Sequence, residues 1–161
     1  GMVLESYPAQ LYAETVSVRS NPASFELPEG LTVEQAASAG CYVMGSGGDV
    51  RNEEVLERFI SAAGNARIPA FLRVAEFDEN QKPHITDIYY TGTGFHLTQD
   101  SLRADGSKNA VVRDYQFMNS FDNGALVILS NEEELTREEF ERRMFSSKWE
   151  DTIDFFFLKQ D

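Results

Sequence analysis

The sequence predicts an α+β fold: a mainly antiparallel sheet of about five or six strands, with two or three helices packed on one face. Helix start signals, strand-like segments and short turn-rich connections together predict it. Consecutive strands with short links pair antiparallel, because parallel neighbours need a crossover of a dozen or more residues. The 161-residue chain is about one domain long. We expect residues 1–30 to form an extended arm or linker and residues 31–161 to form a single domain.

Two of the predicted helices begin at capping boxes, in which two side chains satisfy free amides of the first turn. The first box is TVEQ at residues 32–35, and Gly40 is placed to end that helix. The other box is TREE at residues 136–139, where Leu135 before the helix can pack against Phe140.

The remaining helix is predicted to start after Asn52 and to run to about Ala63, with Gly64 as its stop. Glu53 and Glu54 lie in its first turn, where acidic side chains complement the helix dipole. Its apolar residues recur at helical spacing and form one stripe: Val55, Leu56, Phe59, Ile60 and Ala63.

The strand-like segments are rich in β-branched and aromatic residues and are bounded by turn residues. The segment at residues 125–130 could run parallel to the one at residues 152–158, because a helix lies between them. A short apolar strand is expected at residues 41–44, and one more is conceivable within residues 11–18. The six longer segments are residues 70–77, 84–91, 94–99, 109–118, 125–130 and 152–158.

The hairpin within residues 84–99 permits a prediction of register. If Gly92 and Thr93 form a two-residue turn, one side of the hairpin is apolar and the other is mostly polar, as a sheet with one buried side requires. The predicted cross-strand pairs are Tyr90–Phe95 and Ile88–Leu97 on the apolar side, and Tyr89–His96 and Asp87–Thr98 on the polar side.

The net charge of −13 argues against binding to nucleic acid, which requires a basic face. The sequence contains no run of about 18 apolar residues, so it predicts no membrane span. If Met2 is the native start, no signal peptide is present and a cytoplasmic location is expected. If a leader was removed, the protein is envelope-associated or secreted. The partner, whether a protein or a small ligand, and the oligomeric state stay open.

The motifs for catalysis and cofactor binding are incomplete. The glycine cluster at residues 45–48 is followed by no lysine, so it is not a phosphate-binding P-loop. Cys41 lies near the C-terminal end of the first helix, where a thiolate is not stabilised. The predicted register places His84 and His96 on opposite faces, which argues against a shared metal. We therefore expect no catalytic residue, no metal and no cofactor.

Residues 31–106 resemble a known bacterial family. The matching pieces are T-x-E-Q-A at residues 32–36, the helix pattern of Leu56 and Phe59, and single positions at Gly48, Asn52, Thr98, Asp100, Arg103 and Asp105. The family is the domain of unknown function with family number 4362, found in small proteins and lipoproteins of Firmicutes. The chain departs from it at Cys41-Tyr42, where the family usually has an aspartate, and in lacking a lysine-rich character. The resemblance implies a single α+β module and names no catalytic residue.

These observations favour a non-enzymatic binding or protein-interaction domain. Its expected contact surface is the polar side of the hairpin, with Asp87, Tyr89, His96 and Thr98, and with Arg103 nearby. An acidic inhibitor or immunity-type partner of a basic toxin or nuclease is an alternative, suggested by small size and negative charge. A small hydrolase that uses Cys41 or a pair of carboxylates is a further alternative.

Overall fold

The computed structural model describes residues 30–102, 108–145 and 153–158. The described residues form three α-helices, α1 (Val33–Ser38), α2 (Glu53–Phe59) and α3 (Arg137–Met144). The strands are β1 (Tyr42–Met44), β2 (Val50–Arg51), β3 (Ala70–Phe77), β4 (Pro83–Tyr90), β5 (Phe95–Leu102), β6 (Lys108–Tyr115), β7 (Phe117–Phe121), β8 (Leu126–Ser130) and β9 (Ile153–Phe157). The α+β class is confirmed. Residues 1–29 of the expected arm at residues 1–30 lie outside the described residues, and so do the expected strand within residues 11–18 and Arg103.

The strands form two sheets. The large sheet has the order β2-β1-β3-β4-β5-β6 and is antiparallel except for β1 and β3, which run parallel with α2 between them along the chain. The small sheet has the order β7-β8-β9. Strand β9 pairs antiparallel with β8, so the possibility that residues 125–130 and 152–158 run parallel is wrong.

The predicted strand at residues 109–118 is divided between the two sheets. It breaks at Gln116, where the chain leaves its pairing with β5 and begins pairing with β8. The Gln116 N–H donates to Asn131 Oδ1 at 3.0 Å, so a side chain satisfies the backbone group that leaves the ladder. The break also shifts the alternation of side chains between the two faces. Residues three apart in one strand point to opposite faces, yet Tyr115 and Met118 both pack in the same core.

That core lies between the sheets and contains α2. Its buried residues include Leu56 and Phe59 from α2, Ile88 and Leu97 from the large sheet, and Leu129 from the small sheet. We call the side of the large sheet that faces this core the inner face and the opposite side the outer face.

The expectation that the helices share one face is wrong. Helix α1 packs on the outer face, where Ala36 meets Val43, Ala75 and Ile85, whereas α2 packs on the inner face. Helix α3 covers the far side of the small sheet, where Phe140 contacts Phe155. The physical reason is that β1 and β8 are buried along their whole lengths, which requires cover on both sides.

The predicted helix ends are mostly confirmed. Both bonds of the capping box at Thr32 and Gln35 are present, and Gly40 has the left-handed φ of +88°. Thr136 Oγ1 accepts from the Glu139 N–H, and Leu135 lies in one cluster with Phe140. The second bond of this predicted box is wrong, because the Glu139 carboxylate bonds to Arg142 and Arg143 instead.

The prediction for Gly64 is wrong. Helix α2 continues through it as a π-helical segment, Ile60–Ala66, and Arg67 ends the helix in the left-handed conformation with φ of 57°. A Cβ at Gly64 would lie 3.1 Å from Met118 Cε on β7, so the methionine side chain would have to move by a few tenths of an ångström.

Candidate functional site

The candidate site is formed by two rows of side chains that cross the outer face. The central row runs through Arg73, Asp87, Thr98 and Val112, one residue from each of β3 to β6. The aromatic row lies beside it and runs through Phe71, Tyr89, His96 and Asp114. The predicted hairpin pairs Tyr89–His96 and Asp87–Thr98 are confirmed, as are Tyr90–Phe95 and Ile88–Leu97 on the inner face.

An ion pair lies at the centre of this face. Arg73 Nε donates to Asp87 Oδ1 at 2.7 Å, and Arg73 Nη2 donates to Asp87 Oδ2 at 2.9 Å. The Asp87 side chain is only 7% exposed and that of Arg73 is 18% exposed. The Arg73 guanidinium also lies 5.3 Å from the centre of the Phe71 ring. A bidentate pair of this kind fixes the orientation of both side chains.

The aromatic row is more exposed than the ion pair. The rings of Tyr89 and His96 stack with centres 6.4 Å apart. His96 Nδ1 contacts the Asp114 carboxylate, which is itself 67% exposed. An imidazole between a phenol ring and a carboxylate is held in a defined orientation while it stays accessible to a partner.

Exposure on this face differs between the two rows. In the central row Asp87 and Thr98 are buried, and Val112 on β6 is 59% exposed. In the aromatic row Tyr89 and His96 are both partly exposed. The strand order places β6 at one end of the large sheet. The accessible part of the site is therefore the aromatic row together with Val112 at the sheet edge.

Four of the five expected site residues thus lie together, and Arg103 lies outside the described residues. The sequence analysis missed Phe71, Arg73 and Asp114. The signal for Arg73 was available, because the short 78–82 connection sets the β3–β4 register that places it opposite Asp87. The position of Asp114 opposite His96 depends on the β5–β6 register, and the sequence of the connection at residues 103–107 does not predict that register.

Cys41 lies beside the central row but is 4% exposed. Burial raises the pKa of its thiol to about 11, an effect that nearby Arg73 partly offsets. A neutral thiol is a poor nucleophile. His84 projects from the other face, and β3 and β4 separate Cys41 from His96 on β5. Neither histidine of the chain can therefore act as a base for the Cys41 thiol.

The histidines have separate carboxylate neighbours. His84 Nε2 is 3.1 Å from Asp78 Oδ2, and His96 contacts Asp114 on the opposite face. The predicted placement on opposite faces is confirmed. Within the described ranges, no group of three or more His, Cys, Asp or Glu side chains could hold a metal ion.

The stretch between β1 and α2 contains a glycine turn and the asparagine that contacts the end of α1. Residues 46–48 form a short 3-10 turn, and Gly45 N–H donates to Asp49 O across it. Asn52 follows in the left-handed conformation with φ of 63°, and its Nδ2 donates to Ala37 O at 2.9 Å and to Cys41 O at 2.8 Å. Asn52 precedes α2 as predicted, but its side chain joins the end of α1 to the start of β1.

No helix in the described part of the chain has the length and apolar character that crossing a bilayer requires. Comparison of the chain with protein-family models, with curated proteins and with solved structures gives no match.

Proposed function

We propose that this chain is a non-enzymatic protein-interaction domain whose contact surface is the outer face, with Tyr89 and His96 at its centre. The observation that supports the proposal is the combination of an accessible aromatic row with a nearly buried Arg73–Asp87 pair beside it. Aromatic residues on a rigid support are common among the residues that dominate binding energy.

The ion pair supports this choice of face for an energetic reason. A buried pair can often be replaced by apolar residues without loss of stability, so its contribution to folding is small. Its bidentate geometry instead fixes the surface beside Tyr89. The raised pKa of Cys41 and the separation of both histidines from it argue against a hydrolase that uses Cys41. The resemblance to the bacterial family is compatible with the proposal and adds no catalytic residue to it.

The test is binding of the chain to proteins from its source cells, before and after the double substitution Y89A/H96A. The matched control is H84A/F145A, which removes another imidazole and another phenyl ring from exposed positions away from this face. We expect Y89A/H96A to abolish capture of a specific partner and H84A/F145A to preserve it. Equal capture of the partner by both variants would exclude the outer face as the contact surface.

An acidic partner of a basic protein is the second candidate, and the charge distribution around α3 favours it. Arg137, Arg142 and Arg143 all pair with nearby carboxylates. No described cation pairs with the exposed Glu133 and Glu138, so these carboxylates are available to a basic partner.

Salt and substitution separate the two candidates. Recognition through charge weakens steeply between low and physiological salt, and E133Q/E138Q should reduce it. Recognition through Tyr89 and His96 should depend weakly on salt and should be insensitive to E133Q/E138Q.

A further inference from the structure

The outer edge of β6 has the features of a strand that pairs with another strand. It is eight residues long, it contains no proline, and in the described residues no strand lies on its far side. The edge at the other end of the large sheet, β2, has only two residues. An exposed edge of this length presents a row of backbone donors and acceptors to any compatible strand.

The hydrogen-bond pattern shows which residues present those groups. Thr91 follows β4 and Gly94 precedes β5, and the Thr91 N–H donates to Gly94 O at 2.9 Å, so these two residues lie at a hydrogen-bonded position of the hairpin. Such pairs alternate, so the even-numbered residues of β5 bond to β4 and the odd-numbered ones bond to β6. The odd residues of β5 pair with the odd residues of β6. The backbone groups directed away from β5 are therefore those of Lys108, Ala110, Val112 and Asp114.

The sequence of β6 is complementary to itself in antiparallel pairing. A two-fold axis through Val111, perpendicular to the sheet, places Lys108 opposite Asp114 and Ala110 opposite Val112 of the second copy. Each of the two charge pairs then joins a lysine to an aspartate, and each exposed Val112 lies opposite an alanine. A register centred on Val112 would place Asp114 opposite Ala110 and would leave no charge pair.

We propose that β6 is a self-association edge and that its occupant is β6 of a second copy of this chain, paired antiparallel about Val111. The large sheets of the two copies then form one continuous sheet. Because the axis is perpendicular to the sheet, both outer faces lie on the same side. This inference does not depend on the proposed function of the outer face.

The test is sedimentation velocity of the full chain at physiological salt, where repulsion between two copies of net charge −13 is largely screened. We expect a concentration-dependent monomer–dimer equilibrium. K108D or D114K alone creates two like-charge contacts per dimer and should weaken association about tenfold. The double substitution K108D/D114K restores both attractive contacts and should restore association.

Mixing the two single variants is the decisive measurement. In a mixed pair of K108D and D114K chains, each contact again joins a carboxylate to an ammonium, so a heterodimer should form although neither variant dimerises well alone. Circular dichroism of each variant verifies the fold independently of association. A chain that stays monomeric at every concentration would overturn the proposal. So would a dimer that is insensitive to both single substitutions, because its contact would lie elsewhere.

Discussion

The two faces of the large sheet are built on different physical principles. The centre of the inner face is apolar, and its residues Ile88 and Leu97 are completely buried. The outer face buries Arg73 and Asp87, which are directly adjacent in register and bonded to one another. The inner face is therefore stabilised by burial, which tolerates many arrangements of similar volume. The part of the outer face around Arg73 and Asp87 depends on individual partners, because a buried polar group that loses its partner is costly.

The largest effect should come from the inner face. Ile88→Ala removes a fully buried side chain from the core that contains α2 and should lower the free energy of unfolding by about 2–5 kcal/mol, since it loses transfer free energy and leaves a cavity. Urea denaturation measures this, with the exposed loop substitution Glu79→Ala as control. A cost for Ile88→Ala as small as that of the control would mean that the inner face is not the principal core.

Substitution on the outer face should behave differently, because a second substitution can restore the stability that the first one removes. Asp87→Ala leaves the Arg73 charge without its bidentate partner and should cost about 2–3 kcal/mol, less than for a fully buried pair because Arg73 keeps some exposure. The double substitution R73M/D87L should return stability to within about 1 kcal/mol of wild type. A double variant as unstable as Asp87→Ala would show that the pair itself stabilises the fold.

Alkaline pH probes both faces through two consecutive residues, Cys41 and Tyr42. Burial raises the pKa of Cys41 from 9.0 to about 11 and that of Tyr42 from 10.0 to about 12. The unfolded chain ionises first, so stability is complete below pH 9 and is lost between pH 9 and 11 for Cys41 and between pH 10 and 12 for Tyr42. Each loss is about 2–3 kcal/mol in full.

The measurement is the free energy of unfolding of wild type and Cys41→Ala at intervals from pH 8 upward. The difference between the two proteins should be constant below pH 9 and should change steadily between pH 9 and 11. A constant difference throughout would show that the Cys41 thiol ionises equally in the folded and unfolded chains.

The smallest effect is the difference of about 1 kcal/mol between two substitutions at Asn52, whose side chain joins the end of α1 to the start of β1. Asn52→Ala loses two hydrogen bonds and places alanine in the left-handed conformation, so it should cost about 2–3 kcal/mol. Asn52→Gly loses the same bonds without the conformational strain and should cost about 1 kcal/mol less. Thermal unfolding of the two variants separates the two contributions, and equal melting temperatures would leave the hydrogen bonds as the whole effect.

Local patterns in the sequence predict much of this molecule. The register of Tyr89 with His96 follows from alternation across a short turn, and the start of α1 follows from the Thr32 capping box. The second sheet could not be predicted, because residues 109–118 have an uninterrupted strand-like composition. Only tertiary pairing decides that the chain changes sheets at Gln116.

Only the part of the candidate site that lies within one hairpin could be predicted from the sequence. Asp87, Tyr89, His96 and Thr98 share one hairpin, so local geometry places them together. Arg73 and Asp114 come from the strands on either side, and only the assembled sheet brings them into the same rows. The burial of Asp87 was likewise invisible in a sequence that alternates polar and apolar residues.

The contact between the Tyr42 hydroxyl and the Leu158 carbonyl has a consequence for the order of assembly. It joins the first described strand to a residue 116 positions later. A loop of this length costs entropy to close, and pairing of the intervening strands reduces that cost. We therefore expect the contact to form after those strands have paired. A chain cut before residue 158 would lack the carbonyl that accepts from the Tyr42 hydroxyl.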